Sequence, residues 1–442
     1  RGTMTKYYHF WIEGCQMNYA DARQVAVALE QIGYQATEQA EQADVMILET
    51  CTVRQSAEDK ANSRLISLRP AKERHPDMTI AVMGCLVGIK GNRILQERFP
   101  YVDVFMPPST DGALLLAYLQ EREAQLDERA TVTKRFAIQD GDIALPAHER
   151  GEMVSAPVAV VYGCSHACTF CQIPLKRGIE RSRPVGEIAA EARALAAQGV
   201  KEVTLLGQIV DRYGKDVPDG PNLAALLRVI NGIDGLERIR FLTSHPSYVT
   251  DELLDTVAEL PKVCEHVEVP VQAGDDGVLA EMKRGYTADG YRRLIERIRE
   301  RIPNAGIATD IIVGFPGETE AQFQNTYDLL AELKLDVAHL ARYSPRPGTV
   351  AERRLSDDVP EEEKLRRLKI LDEQQAGILG EINAKLLGQT ADVLVEENHK
   401  GKWKGRTRTN KIVFFEDEGQ WQGRTARVTI TKTSPWSLQG AV

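Results

Sequence analysis

The sequence predicts an α/β protein in three parts: an N-terminal doubly wound βα domain, a central partial (βα)6 TIM-like barrel and a small C-terminal β-barrel. Three observations carry this. Up to residue 128, short buried-type strands alternate with helical periodicity. From Ala156 a strand–helix unit recurs six times, short of the eight that close a TIM barrel. From about Leu387, short strands are separated by Gly and polar turns, and no helix follows.

In the first part, Lys6 to Ile12 reads as a strand, and Asp21 to Ile32 as a helix through Val25, Leu29 and Ile32 that Gly33 stops. Asp44 to Leu48 and Thr79 to Met83 are buried-type strands, with a helix at about Ala57 to Leu68 between them. Leu114 to Glu128 closes the domain, set at residues 4–128. Residues 129–153, with Gln139-Asp140-Gly141-Asp142, form a polar linker. Arg1-Gly2-Thr3 ahead of Met4 reads as an added leader.

The second part, residues 154–386, has strands at Ala156–Tyr162, Glu202–Leu206, Arg238–Leu242, His266–Val271, Gly306–Val313 and Val337–Tyr343. Thr250 caps one intervening helix, and Thr319 with Gln322 forms a capping box on another. The third part, residues 387–442, has strands at Ala391–Glu396, Gly405–Phe414, Gly423–Lys432 and Ser437–Leu438.

Composition bounds the function. The 442 residues are 43% hydrophobic and 27% charged, as in globular proteins generally. No apolar run is long enough to cross a bilayer, so no membrane partner is expected. Seven cysteines, an odd number in a long chain, do not suit a disulfide scaffold and place the protein in the cytoplasm. The net charge of −9 hides an asymmetry: from Leu387 onward there are nine Lys and Arg against six Asp and Glu. Lys400, Lys402, Lys404, Arg406, Arg408 and Lys411, interleaved with Trp403, fit an RNA backbone and a stacked base.

The cysteines carry the chemistry. Cys164, Cys168 and Cys171 are separated by three and then two intervening residues on one loop after the first barrel strand. Three thiolates on a four-iron cluster leave one iron without a protein ligand, open for chemistry. A zinc knuckle with His166 as fourth ligand competes, but His166 lies between the cysteines and is badly placed to reach the same metal. Cys15, Cys51 and Cys85 each follow a strand of the first domain, where open α/β sheets place ligands, and three such positions suggest a second cluster. Cys264 reads as structural. Polar residues after the other barrel strands line the same mouth: Gln208, Thr243-Ser244-His245-Pro246, Gln272, Asp310 and Arg342-Tyr343-Ser344. Gly314-Phe315-Pro316-Gly317-Glu318 lacks the Lys-Ser/Thr of a phosphate loop.

The Cys164–Cys171 loop, with Phe170 before its third cysteine, resembles the signature of the radical S-adenosylmethionine (SAM) enzymes. Over nearly its whole length the chain resembles their methylthiotransferase family, with an N-terminal cluster domain, radical SAM barrel and C-terminal TRAM domain. Gly14-Cys15-Gln16-Met17-Asn18, Thr243-Ser244-His245-Pro246, Tyr343-Ser344-Pro345-Arg346-Pro347-Gly348-Thr349 and Gly405-Arg406-Thr407-Arg408-Thr409-Asn410 resemble the MiaB-like, tRNA-modifying branch. The resemblance implies two [4Fe-4S] clusters, an auxiliary one on Cys15, Cys51 and Cys85 and a radical one on Cys164, Cys168 and Cys171. It implies SAM contacts at Phe170, Gln208, Ser244, Gln272 and Asp310.

The implied reaction places a methylthio group on C2 of N6-isopentenyladenosine at position 37 of tRNA. One SAM methylates a cluster-bound sulfur, and a second yields the 5′-deoxyadenosyl radical that removes the C2 hydrogen. The implied partners are a tRNA anticodon stem-loop and an electron donor such as flavodoxin or ferredoxin, and the implied state is a monomer. Alternatives are the same chemistry on threonylcarbamoyl-adenosine tRNA or a ribosomal protein, or a non-catalytic iron–sulfur RNA-binding protein. The chain departs from the family pattern at Glu49, Leu175-Lys176, Ile209 and Gln272-Ala273-Gly274-Asp275.

Overall fold

The computed structural model describes residues 5–110, 112–126 and 144–442, so most of the expected linker lies outside the described residues. These residues fall into two compact units. Of the described residues, the first comprises those up to 150, with 157–165 and 173–198, and the second 151–156, 166–172 and 199–442.

The first unit contains β1 (Lys6–Ile12), α1 (Gln16–Gln31), β2 (Tyr34–Ala36), β3 (Val45–Thr50), α2 (Gln55–Arg74), β4 (Thr79–Gly84), α3 (Arg93–Arg98), β5 (Val104–Met106) and α4 (Ala113–Leu126). Its parallel sheet has the order β2-β1-β3-β4-β5. Every residue of β3 and β4 is buried, as in a parallel strand covered on both faces. Alternation sends Val45 and Ile47 into one core and Met46 and Leu48 into the other.

Barrel segments join this unit. After β6 (Ser155–Ala159) come β7 (Val161–Tyr162), α5 (Ile173–Arg177), β8 (Arg181–Ser182) and α6 (Val185–Ala197). The first barrel repeat thus belongs with the N-terminal domain for much of its length, across the boundary expected at 154. Buried ion pairs explain this: Arg23 on α1 meets Glu191 on α6 at 2.5 Å, and Arg177 on α5 meets Asp21 on α1 at 3.0 Å.

The second unit continues with β9 (Glu202–Leu206), α7 (Leu223–Asn231), β10 (Arg238–Leu242), α8 (Asp251–Glu259), β11 (His266–Glu268), α9 (Asp276–Glu281), α10 (Ala288–Arg301), β12 (Gly306–Val313), α11 (Glu320–Leu333), β13 (Val337–Arg342), α12 (Val350–Arg354) and α13 (Glu361–Ala384). The Thr250 cap and the Thr319–Gln322 capping box are both present. The six barrel strands form two triplets, β10-β9-β6 and β11-β12-β13, rather than one continuous sheet. β11 is three residues long, not the six expected, because Pro270 has no N–H to offer a ladder.

α13, for which the sequence reading placed no element, packs against β13. Its start was marked by Pro360 and three glutamates, Glu361 to Glu363, in the first turn. Glu318 folds back to accept the Gly314 N–H at 2.6 Å and pairs with buried Arg367 at 2.8 Å. The Gly314–Glu318 turn is thereby closed by its own carboxylate.

The C-terminal strands β14 (Thr390–His399), β15 (Lys402–Thr407), β16 (Ile412–Phe415), β17 (Thr425–Thr433) and β18 (Leu438–Ala441) close a barrel in the order β14-β15-β16-β18-β17. The strand expected at Gly405–Phe414 is two strands. Asn410, at φ +67°, turns the chain between them, and its N–H returns to the Thr407 carbonyl. Among the described residues no helix is long and apolar enough to cross a membrane.

Candidate active site

In the first unit β1, β3 and β4 are neighbours, so Cys15, Cys51 and Cys85 emerge from adjacent strand ends. Two glycines show how tightly these ends pack. A Cβ on Gly14 (φ +145°) would lie 2.7 Å from the Cys51 Cβ, and one on Gly84 (φ +96°) 2.4 Å from the Thr50 carbonyl oxygen. Cys15 sits at the N-cap of α1, where its thiol and its N–H both donate to the Asn18 Oδ1, at 3.1 and 3.3 Å. The Asn18 amide donates in turn to the Glu49 carboxylate and to the Thr50 carbonyl.

These thiols feel one another. Burial, reinforced by the charge of Cys85, pushes the Cys51 thiol up to about 12. Burial raises Cys85 too, with Cys15 adding to the effect and Arg177 opposing it. Burial, then the Asp21 charge, holds Glu49 well above the usual carboxylate range. Buried thiols that resist ionisation, as Cys51 and Cys85 do, become stable thiolates when a cation holds them. Among the described residues no three His, Cys, Asp or Glu side chains converge closely enough for a single ion. A four-iron cluster asks for something different, one thiolate for each of three irons, and the three strand ends suit that donor set.

The second cysteine loop runs from one unit into the other: Cys164 belongs to the first, Cys168 and Cys171 to the second. In the first, the Cys164 N–H donates to the Gly178 carbonyl at 3.0 Å. In the second, the Thr169 N–H reaches the Met282 carbonyl at 3.1 Å, its hydroxyl the Glu281 carbonyl at 2.8 Å, and its own carbonyl accepts the Ala351 N–H. Arg284 Nη1 donates to the Cys168 Sγ at 3.2 Å. His166 Nδ1 lies 3.4 Å from that sulfur, while its ring stacks on His245 with centroids 4.5 Å apart. Burial, with Arg284 and Arg212 adding to it, lowers the His166 pKa. The seven cysteines form no disulfide, and Cys264 is buried.

Polar groups gather at the carboxyl ends of the barrel strands in the second unit. The Ser244 N–H donates to the Glu268 carbonyl at 2.9 Å, and the Gln272 N–H to the Asp310 carbonyl at 2.9 Å. Gln272 is held at φ +76°. The Ser244 hydroxyl, the Gln272 Oε1 and the His245 Nε2 are buried without a hydrogen-bond partner, as expected of groups built for a polar ligand. Glu268, half-buried, is pushed up to about 7 by burial and by the Asp310 charge. Phe170 packs against an apolar cluster that includes Ala273, Phe315 and Tyr343. Gln208 is half-buried two residues beyond β9.

Sequence reasoning named Asn18 only within its motif, and overlooked Asp21, Arg177, Glu268 and Arg284 as site residues. Arg177 and Arg284 follow the cysteine sets by chain distances that carry no spacing signal. Glu268 lay inside a stretch read as uninterrupted strand.

The basic run of the C-terminal barrel needs correction. Trp403, expected to stack on a base, is 6% exposed and packs in the barrel core with Val395, Val413 and Phe415. It stands on the inward face of β15, whose burial alternates strictly. Arg408 pairs twice with Glu265 at 2.7 Å and donates to the Val263 carbonyl, and Lys411 meets Asp336 at 2.7 Å. Both therefore fasten the small barrel to the (βα) barrel within the second unit. Lys402, Lys404 and Arg406 pair with Glu416, Glu397 and Glu396 of the small barrel, and Lys400 is exposed in the β14–β15 turn.

Comparisons with known proteins agree with this geometry. Residues 158–330 match the radical SAM superfamily, 7–107 an uncharacterized protein family designated UPF0004, and 384–442 the TRAM domain. A solved structure of the radical SAM methyltransferase TsrM from Kitasatospora setae covers 79% of this chain and 77% of its own, with TM-score 0.57 at 17% identity, a likeness of fold. Proteins named tRNA-2-methylthio-N(6)-dimethylallyladenosine synthase are similar over nearly the full length. The one from Roseiflexus sp. (strain RS-1) is 47% identical, covering 98% of this chain and 89% of its own, and the one from Herpetosiphon aurantiacus is 44% identical, covering 98% and 96%. With two cysteine sets, a partial (βα) barrel and a TRAM barrel in one sequence, the chain belongs to the family of tRNA-2-methylthio-N(6)-dimethylallyladenosine synthases.

Proposed function

We propose that the protein is a transferase that converts N6-isopentenyladenosine at position 37 of tRNA to its 2-methylthio derivative. One observation carries the reading: two separate three-cysteine sets, one of them gathered on the ends of β1, β3 and β4. In this reading Cys15, Cys51 and Cys85 hold the auxiliary cluster, and Cys164, Cys168 and Cys171 the radical cluster. Bound there, the clusters and SAM supply the methylthio group and the radical that an unactivated aromatic C–H requires.

The chain's own residues bind, orient and shield. Ser244, Gln272 and Asp310, with Gln208, offer hydrogen bonds to the polar parts of SAM, and Phe170 gives its loop an apolar seat. Glu268 beside Asp310 adds a carboxyl able to hold a proton near neutral pH. Arg284 donates to a ligand sulfur, which stabilises thiolate charge. Lys400, Lys402, Lys404 and Arg406 remain the RNA-facing cations of the small barrel, set by long-range attraction to phosphate. The expected setting is cytoplasmic, as a monomer that takes electrons from a small donor such as flavodoxin or ferredoxin.

The test is anaerobic reconstitution followed by SAM, a reductant and an anticodon stem-loop bearing N6-isopentenyladenosine. The expected products are 5′-deoxyadenosine and methylthiolated RNA by mass spectrometry, with about eight irons per chain, the content of two four-iron clusters. Deoxyadenosine with unmodified RNA would move the search to another substrate. Absence of both would leave an iron–sulfur RNA-binding protein.

A further inference from the structure

Three consecutive residues at the end of α5 each hold a different piece of the cysteine framework in the first unit. The Lys176 carbonyl accepts the N–H of Ile89, four residues beyond Cys85, at 2.9 Å. The Arg177 guanidinium meets the Cys85 thiol and acts electrostatically on Cys15 and Cys51. The Gly178 carbonyl accepts the Cys164 N–H at 3.0 Å. That last contact leaves no slack: Gly163 has φ +66°, and a Cβ there would stand 2.2 Å from the Ile179 carbonyl oxygen. One turn of chain thus touches the segment after an auxiliary cysteine and the backbone of a radical-set cysteine.

The guanidinium is more than the partner of one carboxylate. Its side chain is fully buried, and Nη1 donates to Asp21 Oδ2 at 3.0 Å and Ser109 Oγ at 3.1 Å. Nε and Nη2 are buried as well, with no nitrogen or oxygen partner among the described residues, and the guanidinium lies within hydrogen-bonding reach of the Cys85 thiol. An arginine that served only as an ion-pair partner would turn its fork to the carboxylate, where two parallel bonds are available. Here one nitrogen takes the acid, and the rest of the fork is left beside sulfur. The charges that act on it are those of Asp21, then Cys85, Cys15 and Glu49. A buried cation that meets the Cys85 thiol and acts on Cys15 as well is what a negatively charged sulfur cage needs. The potential of such a cage is set by net charge and by hydrogen bonds to its sulfurs.

We propose that Arg177 is a positioning residue of the auxiliary cluster. Its guanidinium compensates the cluster's sulfur charge while its own turn anchors Cys164, so that the two cysteine sets are linked through residues 176–178. The proposal rests on the reading that Cys15, Cys51 and Cys85 hold a cluster. Asp21 has a definite part in it: it competes with the cluster for the Arg177 charge.

Two backgrounds separate the clusters. In the Cys164→Ala/Cys168→Ala/Cys171→Ala protein only the auxiliary set remains, and after anaerobic reconstitution its iron is counted and its reduction potential is followed by EPR. Arg177→Gln is expected to shift that potential negative, since a nearby positive charge favours the added electron. Asp21→Asn is expected to shift it positive, because the arginine then faces the sulfur undivided. A structural ion pair makes no such distinction, since losing either partner disturbs the fold in the same sense. Unchanged potentials, or shifts of one sign in both variants, overturn the proposal. Should Arg177→Gln fail to fold by circular dichroism, the sign for Asp21→Asn alone decides. No iron in the unsubstituted background overturns the cluster reading itself. In the reciprocal Cys15→Ala/Cys51→Ala/Cys85→Ala protein, Arg177→Gln is expected to alter the EPR signal of the radical set, and an identical signal refutes the link to Cys164.

Discussion

Arg408 and Glu265 face each other through two hydrogen bonds of 2.7 Å, and the same guanidinium also donates to the Val263 carbonyl. The pair is about one-third exposed on each side, so solvent screens part of its attraction. Arg408→Ala is expected to cost about 1–2 kcal/mol in urea unfolding, as for a few charge-assisted bonds at a surface joint. It should leave the salt dependence of RNA binding nearly as it was. Lys400→Ala should do the reverse, reducing the salt slope by about one with little change in stability. Equal salt slopes for the two variants would count against this division of the basic run.

Trp403 makes a sharper case. Removing a core tryptophan costs about 3–5 kcal/mol, enough to unfold a barrel of five short strands. Trp403→Ala should therefore expose the segment beyond Leu386 to trypsin. A folded variant with selectively weakened RNA affinity would restore the base-stacking role.

The Glu268 carboxyl gives a pH dependence with a definite sign. Its folded value, about 7, lies above the ordinary 4.5, so between these values the folded protein holds a proton that the unfolded chain has released. Stability of the apoprotein should fall as pH rises through this window, by on the order of 3 kcal/mol at 1.36 kcal/mol per unit. Below pH 4.5 the group contributes no slope, and above 7 the whole cost is present. Glu268→Gln should flatten the profile of unfolding free energy against pH, and superimposable profiles would refute the assignment.

Gly163 tests the loop without touching a cysteine. Gly163→Ala puts a methyl group into the Ile179 carbonyl at a φ that side chains disfavour. Reconstituted iron should drop from about eight to about four per chain, the auxiliary share alone. Full iron content in that variant would show that the loop tolerates the displacement.

Much of this was legible in the sequence. Three cysteines at strand ends implied convergence, because parallel strands carry their C-terminal ends to one edge, and β1, β3 and β4 are indeed adjacent. The Thr250 cap and the Thr319–Gln322 capping box were local and were read correctly. Trp403 was misread because a basic run looks the same whether its aromatic faces outward or inward, and only the register of β15 decides. Arg408 and Lys411 were misread because their partners, Glu265 and Asp336, lie far away in sequence. Arg177 was overlooked for the same reason: its meaning comes from Asp21, a contact that no local pattern encodes.

Two arginines of β10 hold the small barrel by its main chain. Arg238 donates to the carbonyls of Arg406 and Asp392, and Arg240 to those of Arg408 and Thr407. Main-chain oxygens survive almost any substitution, so mutational drift across the RNA-facing module leaves these acceptors in place. This part of the joint is carried from one side only, while Arg408 and Lys411 carry the rest from the other. Arg408 and Lys411 aside, side-chain changes across the module leave these four main-chain bonds in place, whereas loss of Arg238 or Arg240 removes them.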